Sequence, residues 1–241
     1  MKEIIEEIKK AKRIVAFTGA GMSVESGIAP FRGEEGLWNK FDPQDVASAS
    51  AFAEDPERCW KLFKLQIEES FNSEPHDGHR SLLELENHGL SSVITQNIDG
   101  LHQRAGNNNV LELHGSLYRL ICPSCQRSFK TDQFLDEIKK GKIPRCECRN
   151  ILKPDVVLFG EALPQKILQR SQREAGRCDL MFSLGTSAVV QPAASIPSMA
   201  KRSGAKIVEI NLKKTPLTDG VSDYFLEGKV GEELPELVDN L

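Results

Sequence analysis

VAFTGAGMSVESGIAPFRG, Val15 to Gly33, runs an apolar strand into a glycine pair and then into a dozen small and polar residues that end in Phe-Arg. The segment RIVAFT (13–18) closes on Thr18 and feeds Gly19-Ala20-Gly21. Glycines there allow positive φ and let backbone N–H groups approach a phosphate. Ser23 and Ser26 add hydroxyl donors, while Val24 stands where a G-x-G-x-x-G fingerprint would place its third glycine. Alone, the stretch reads equally as a nucleotide cradle or as a plain tight turn between strand and helix.

Working outward, the segments at 91–96, 179–185 and 205–211 are short, β-branched and nearly all apolar, as suits parallel strands covered on both faces. Helical patterns lie between them. Asp55-Pro56 opens one over about 55–71, Asp77 is expected to cap another, Pro164 starts a third that reaches about Arg177, and a closing helix begins near Gly231. The N-terminus predicts an amphipathic helix with Ile4, Ile5 and Ile8 on one face. Strand–helix alternation predicts an α/β fold, a Rossmann-like doubly wound parallel sheet. Residues 34–75, helical, and 118–151, cysteine-bearing, break the alternation and read as a smaller lobe. The larger lobe then takes about 1–33, 76–117 and 152–241, within a single domain spanning 1–241.

The carboxyl ends of the expected strands share one feature. TQNIDGLH (95–102) sets Gln96, Asn97 and Asp99 just past a strand, and LELHGS (111–116) ends one on His114. GTSAVVQP (185–192) supplies Gly185, Thr186 and Ser187, and EIN supplies Asn211. Ligands bind at these ends in open α/β sheets, and packing alone does not call for so many small or amide residues there.

CPSC supplies Cys122 and Cys125, and CEC supplies Cys146 and Cys148. Two thiolate pairs spaced in this way converge on one tetrahedral ion. Four sulfur ligands select zinc and leave no open position, so the expected ion is structural. Cys59 and Cys178 fall in expected helices as small core residues. The 241 residues carry a formal net charge of -4, and 27% of them are charged. That balance speaks against a direct nucleic-acid partner. No apolar run reaches the roughly 20 residues needed to cross a bilayer. MKEIIEEIKKAKR mixes charge through its apolar positions, unlike a signal peptide, so a cytoplasmic protein is expected.

Taken together, GAGMSVESGIAPFRG, TQNIDGLH, HGS, CPSC…CEC, VVLFGE, GTSAVVQP and EIN resemble, in order and over nearly the whole chain, the sirtuin family of NAD-dependent protein-lysine deacylases. The absence of long tails is similar to compact prokaryotic-type members. The resemblance implies NAD as co-substrate. An acyl-lysine oxygen attacks the ribose carbon as nicotinamide leaves, and a histidine, His114 by motif, takes a proton from a ribose hydroxyl. The products are nicotinamide, O-acyl-ADP-ribose and free lysine.

It also implies roles for the motif residues. Gly19, Ala20 and Gly21 line the diphosphate with Ser23 and Ser26. Phe31 shields the sugar carbon from water, and Arg32 holds the loop or contacts phosphate. Asn97, Ile98 and Asp99 position the nicotinamide ribose and carboxamide, with Asn97 close to the chemistry and Gln96 near the ribose. Gly185, Thr186, Ser187 and Asn211 meet the adenosine side, and Val230 touches adenine. The strand Val156 to Glu161, through Val157, Leu158, Phe159, Gly160 and Glu161, takes an acylated-lysine protein segment as an extended peptide by strand addition.

Two features depart from the family pattern. GIAPFRG carries proline one place later than the common form, which bears on loop closure. Members that prefer acidic acyl groups carry Tyr-x-x-Arg below the acyl pocket, and the matching positions here are Phe63 and Gln66. Neutral acyl groups are therefore expected over succinyl. Two alternatives stay open: a mono-ADP-ribosyltransferase using the same NAD chemistry, and a non-catalytic zinc-ribbon binding module. His76, His79, His88 and His102 read as solvated or satisfied residues, with His102 near the cofactor motif.

Overall fold

A computed structural model describes residues 1–34 and 36–241; position 35, inside the 34–75 stretch, lies outside the described residues. Among the described residues, nine strands run in chain order as β1 (Ile14–Thr18), β2 (Leu90–Thr95), β3 (Val110–Glu112), β4 (Gly115–Ile121), β5 (Ser128–Lys130), β6 (Lys153–Val156), β7 (Leu180–Leu184), β8 (Lys206–Asn211) and β9 (Tyr224–Glu227). The helices are α1 (Lys2–Lys10), α2 (Pro43–Val46), α3 (Ala49–Glu54), α4 (Pro56–Asn72), α5 (Asp77–Glu84), α6 (Leu101–Ala105), α7 (Leu135–Lys139), α8 (Gln165–Ala175), α9 (Ser195–Arg202) and α10 (Val230–Val238).

Six parallel strands form the main sheet in the order β3-β2-β1-β7-β8-β9. This is the doubly wound order, in which chain direction reverses its sideways progress at β1 and opens a crevice beside β7. β1 is buried along its whole length because each face of the sheet is covered. Ile14 and Ala16 enter one apolar cluster, which also takes Ile4 and Ile8 of α1. Val15 and Phe17 enter the other, with Ala200 of α9 and Ala175 of α8. Period-two alternation therefore divides an unbroken apolar run between two cores.

A second, antiparallel sheet, β5-β4-β6, carries the cysteines. Its core joins Leu120, Cys122, Ile138, Cys146 and Leu152 to Cys59, Trp60, Phe63 and Ile67 of α4. The α4 helix starts where Asp55 accepts from the Arg58 N–H and Pro56 takes the first helical position.

Two expectations are corrected. Asp77 does not cap α5: the Nδ1 of His76 accepts the Gly78 N–H, and Asp77 is the first helical residue. VVLFGE is not a continuous strand, since β6 ends at Val156. Beyond it, the Val157 N–H donates to His114 and the Phe159 N–H to Ala47, and Phe159 bridges Ser48, so two different neighbours hold consecutive residues. The short edge strand β9 and the antiparallel sheet were not foreseen. The edge strands β9 and β5 are part-exposed, with residues such as Tyr224 and Phe225 lacking the all-buried pattern of β1.

Candidate active site

At the carboxyl end of β1, the first two glycines are required by space and not by backbone sign, contrary to the sequence expectation. Gly19 is extended, with φ -131°. A Cβ on it would lie 2.8 Å from the Thr186 side chain, and one on Gly21 would lie 2.7 Å from the Gly185 carbonyl oxygen. Gly185 has φ 55°, and its own Cβ would meet the Met22 nitrogen at 2.4 Å. Two chain segments cross backbone to backbone at the switch point. The Gly19 N–H donates to Leu184 and the Gly21 N–H to Gly185 at 2.8 Å, which locks the crossing. A short 3-10 turn, Ala20–Ser26, follows and stops at Gly27, left-handed at φ 85°.

Next to this crossing, polar side chains are buried together. The Asn97 amide donates to the Gly19 carbonyl and to Ser23 Oγ, both at 3.0 Å. Ser23 Oγ donates to Asp99 Oδ2 at 2.7 Å, and the other Asp99 oxygen accepts the Leu101 N–H at 2.9 Å. Asn97 and Asp99 are each only 6% exposed. Burial raises the Asp99 carboxyl above its ordinary range, opposed by the Leu101 N–H and the Ser23 hydroxyl. Ser70 of α4 donates to the Asp99 carbonyl, tying the helical stretch to this loop.

His114 follows β3 on the neighbouring strand end. Its Nδ1 lies 2.9 Å from the Gln96 carbonyl oxygen. A carbonyl only accepts, so Nδ1 carries the proton and Nε2 of the neutral ring keeps its lone pair. Burial lowers the ring's pKa from the ordinary histidine value, against the raising effect of that bond. The Gln96 side chain donates to Thr186 Oγ1 at 2.8 Å, and Asn211 donates to the Thr186 carbonyl at 2.8 Å. Four strand ends thus meet through Gln96, Thr186, Asn211 and the glycine crossing. Ser187 is exposed, while the Ser26 hydroxyl is buried and unpartnered.

Val230 is buried at the start of α10, whose Gly231 N–H donates to Glu25 at 2.8 Å. Phe31 stacks on Trp38 with ring centroids 5.2 Å apart, and Trp38 in turn meets Phe159 at 6.1 Å. Arg32 is exposed. A small cavity of about 30 Å³ lies between Phe31, Ala20, Ser23, Asn97, Ile98 and Asp99, with Gln66 and Glu69 of α4 on its far wall. Phe63 does not reach it; its ring is packed edge-on to Trp60 at 5.8 Å in the core. Val157 and Leu158 are held in the packed interior, Phe159 stays 38% exposed, and Gly160 turns left-handed at φ 88°. Glu161 accepts from the Leu158 N–H at 2.9 Å and pairs with Lys153 at 3.0 Å.

Sequence reading missed Thr18, Thr95, Ser70, Glu69 and Trp38. A threonine closing each of two adjacent apolar strands was the available signal: the two hydroxyls lie 2.8 Å apart.

The four sulfurs of Cys122, Cys125, Cys146 and Cys148 lie within 4.8 Å of one another. Three of the separations are 3.5, 3.5 and 3.8 Å. A tetrahedron with Zn–S bonds of about 2.3 Å has edges of roughly 3.8 Å, so this donor set fits zinc. Gln126 and Arg149, which follow the paired cysteines, take positive φ of 59° and 70° and turn the backbone around the sulfurs. With all four positions filled by sulfur, the ion is structural.

A doubly wound parallel sheet with polar loops at its switch point and an appended four-cysteine ribbon defines a nucleotide-binding α/β protein of a particular kind. Residues 19–192 match the profile of the Sir2 family, and the chain belongs to that family. It is 47% identical over 239 residues to NAD-dependent protein deacylase 1 of Archaeoglobus fulgidus, covering 98% of this chain and 96% of that one. Among solved structures, a Sir2 homologue in complex with NAD matches with a TM-score of 0.90 at 45% identity, covering 100% of this chain and 93% of that one. A Sir2 variant with a deacetylated p53 peptide and 3'-O-acetyl ADP ribose matches at 0.93 with 35% identity, covering 100% and 98%.

Proposed function

We propose that the protein removes acetyl and other neutral acyl groups from protein lysine side chains with NAD as co-substrate, releasing nicotinamide, O-acyl-ADP-ribose and free lysine. The observation that carries this is His114, a neutral imidazole with its Nδ1 proton held by the Gln96 carbonyl and its Nε2 lone pair free, at the switch point of a dinucleotide-type sheet. The residues present fit NAD: the Ser26 hydroxyl is buried and without a partner among the described residues, and the buried Asn97–Ser23–Asp99 cluster offers donors and acceptors to a ribose and a carboxamide. NAD supplies the sugar carbon to which the acyl oxygen is transferred.

In this reading Gly19, Ala20, Gly21, Ser23 and Ser26 bind the diphosphate side. Asn97, Ile98 and Asp99 orient the nicotinamide half, with Asn97 nearest the reacting carbon. Gln96, Gly185, Thr186, Ser187, Asn211 and Val230 take the ribose and adenosine half. Phe31, already stacked on Trp38 beside the cavity, excludes water, and Arg32 meets solvent or phosphate. His114 Nε2 accepts a proton from a ribose hydroxyl. Its burial keeps it neutral at a lower pH than an ordinary histidine, so it remains a base across the neutral range.

An acylated-lysine protein segment lies extended along Val157 to Glu161. The exposed Phe159 ring and the Gly160 turn are what that segment meets first. Gln66 on the cavity wall leaves an acidic acyl group without a guanidinium. The division of the chain into a large nucleotide lobe (1–33, 76–117, 152–241) and a small lobe (34–75, 118–151) belongs to the same proposal. So does a cytoplasmic setting without a direct nucleic-acid partner, supported by the net charge of -4 and by the lack, among the described residues, of a helix long and apolar enough to cross a membrane.

The test is nicotinamide release from NAD with and without an acetyl-lysine peptide, together with detection of the freed lysine. Peptide-dependent release with free lysine is expected. NAD-derived label left on the protein with no lysine freed would instead establish ADP-ribosyl transfer.

A further inference from the structure

Behind the site, three histidine rings form a row. His76 and His79 meet edge-on with centroids 4.4 Å apart, and His79 and His102 follow at 5.0 Å. His79 and His102 are 0% and 1% exposed. Among the described residues neither nitrogen of His79 has a partner, nor does Nδ1 of His102. A buried unpaired polar group costs roughly 1–3 kcal/mol, so an apolar residue would pack better here unless the ring does something else.

Among the described residues the His102 ring makes a single hydrogen bond, 2.9 Å from Nε2 to Thr18 Oγ1. The Thr18 hydroxyl proton is spent on Thr95 Oγ1 at 2.8 Å. Thr18 is therefore an acceptor toward the imidazole, and His102 carries its proton on Nε2. Thr95 Oγ1 also accepts the Asn97 N–H at 3.0 Å. The peptide between Thr95 and Asn97 is that of Gln96, whose carbonyl holds His114 Nδ1–H. One buried line of donors thus runs from His102 through Thr18 and Thr95 to the backbone that sets both the Asn97 amide and the His114 tautomer.

We propose that His102 is a positioning residue for the deacylation reaction: its Nε2–H fixes the Thr18–Thr95 hydroxyl pair, and through it the Gln96–Asn97 peptide that orients His114 and the Asn97 amide. The inference rests on the reading of His114 as the base. Burial drives the His102 pKa down to about 3, which keeps the ring a neutral single donor.

Glutamine at this position can place an amide N–H where Nε2–H now lies, whereas asparagine cannot, and phenylalanine keeps the bulk without a donor. The experiment compares His102→Gln, His102→Asn and His102→Phe, and Thr18→Val in case His102→Phe fails to fold. Deacylation kinetics are paired with ring 15N shifts in the ligand-free protein, which report tautomers without any turnover. His102→Gln should keep kcat within about threefold of wild type. His102→Asn, His102→Phe and Thr18→Val should lose kcat tenfold or more while the melting temperature stays level. The double variant Thr18→Val/His102→Phe should be no worse than the poorer single one, because both break one line.

The shifts should show Nε2–H on His102 and Nδ1–H on His114 in wild type, and mixed His114 tautomers in His102→Phe. An Nδ1–H tautomer on His102 overturns the proposal. So does a donor-free variant with wild-type kcat, or equal losses in His102→Gln and His102→Phe. If wild type itself fails to deacylate, the functional reading falls, and the shifts still decide the hydrogen-bonded line.

Discussion

The switch-point site and the cysteine ribbon both gather residues far apart in sequence, but they are held by different forces. At the switch point, Gly19, Asn97, Thr186 and Asn211 hold one another through backbone contacts and hydrogen bonds of 2.8 to 3.0 Å that need no ligand. In the ribbon, four sulfurs face one another at van der Waals range, and the edge strand β5 beside them is three residues long and largely exposed. The site is preorganised by the sheet, and the ribbon is organised by its ion. Zinc removal should therefore divide the molecule.

Zinc removal should have the largest effect. Structural zinc supplies on the order of 10 kcal/mol to small thiolate modules. Stripping the ion, or Cys122→Ala, should melt the ribbon and shift the fluorescence of Trp60, whose indole N–H donates to the Leu152 carbonyl at 2.9 Å. The parallel sheet should keep its hydrogen-exchange protection. Sheet amides exchanging together with the ribbon would show that the two are one cooperative unit.

On the sheet side, Gly21→Ala should cost about 3 kcal/mol or more, because a Cβ there strikes Gly185 backbone that cannot yield without unlocking the crossing. Denaturant unfolding reads it, and a loss below 1 kcal/mol would mean that the crossing is loose.

A smaller effect distinguishes the regions by pH. His102 is neutral in the fold, at about 3, and titrates near 6.5 when unfolded. Burial shifts His79 in the same direction. Between pH 6.5 and about 3 the unfolded chain binds protons that the fold refuses, so stability is full above 6.5 and falls with acid. The slope is about 1.4 kcal/mol per pH unit for each such ring. Asp99, raised by burial, works in the opposite sense: the fold holds its proton above the ordinary carboxylate range, and that contribution is lost as pH rises. Wild type should lose melting temperature from pH 6.5 downward, and His102→Phe should lose it less steeply. Equal slopes would mean that the ring is protonated inside.

The smallest effect concerns acyl choice. Gln66→Arg, on the cavity wall, should raise succinyl over acetyl turnover several-fold, worth about 1 kcal/mol. Two synthetic versions of one peptide measure it, and an unchanged ratio would place acyl selection elsewhere.

How much of this was legible in the sequence follows the same division. β1, β2, β7 and β8 were readable because nearly all of their residues are buried between the two faces and β-branched or apolar residues dominate them. The cysteine spacing disclosed the ribbon's metal but not its strands: β5 is three residues long and largely exposed, and β4 does not alternate strictly between buried and exposed positions. Motif positions located His114 and Asn97. They could not disclose that Gly19 is extended, that His76 caps α5, or that VVLFGE leaves strand geometry at Val157, because each depends on a neighbour distant in the chain: Thr186, Met22 and Ala47. The buried hydroxyl pair Thr18–Thr95 was visible only as two threonines closing two strands; the 2.9 Å bond from His102 gave it meaning.

The most direct test of the account is peptide-dependent deacylation by wild type and by His114→Ala at equal zinc content. With the Nε2 lone pair as the base, the alanine variant should lose a hundredfold or more of the deacylation rate while still binding NAD. Free lysine produced by His114→Ala at the wild-type rate would contradict it.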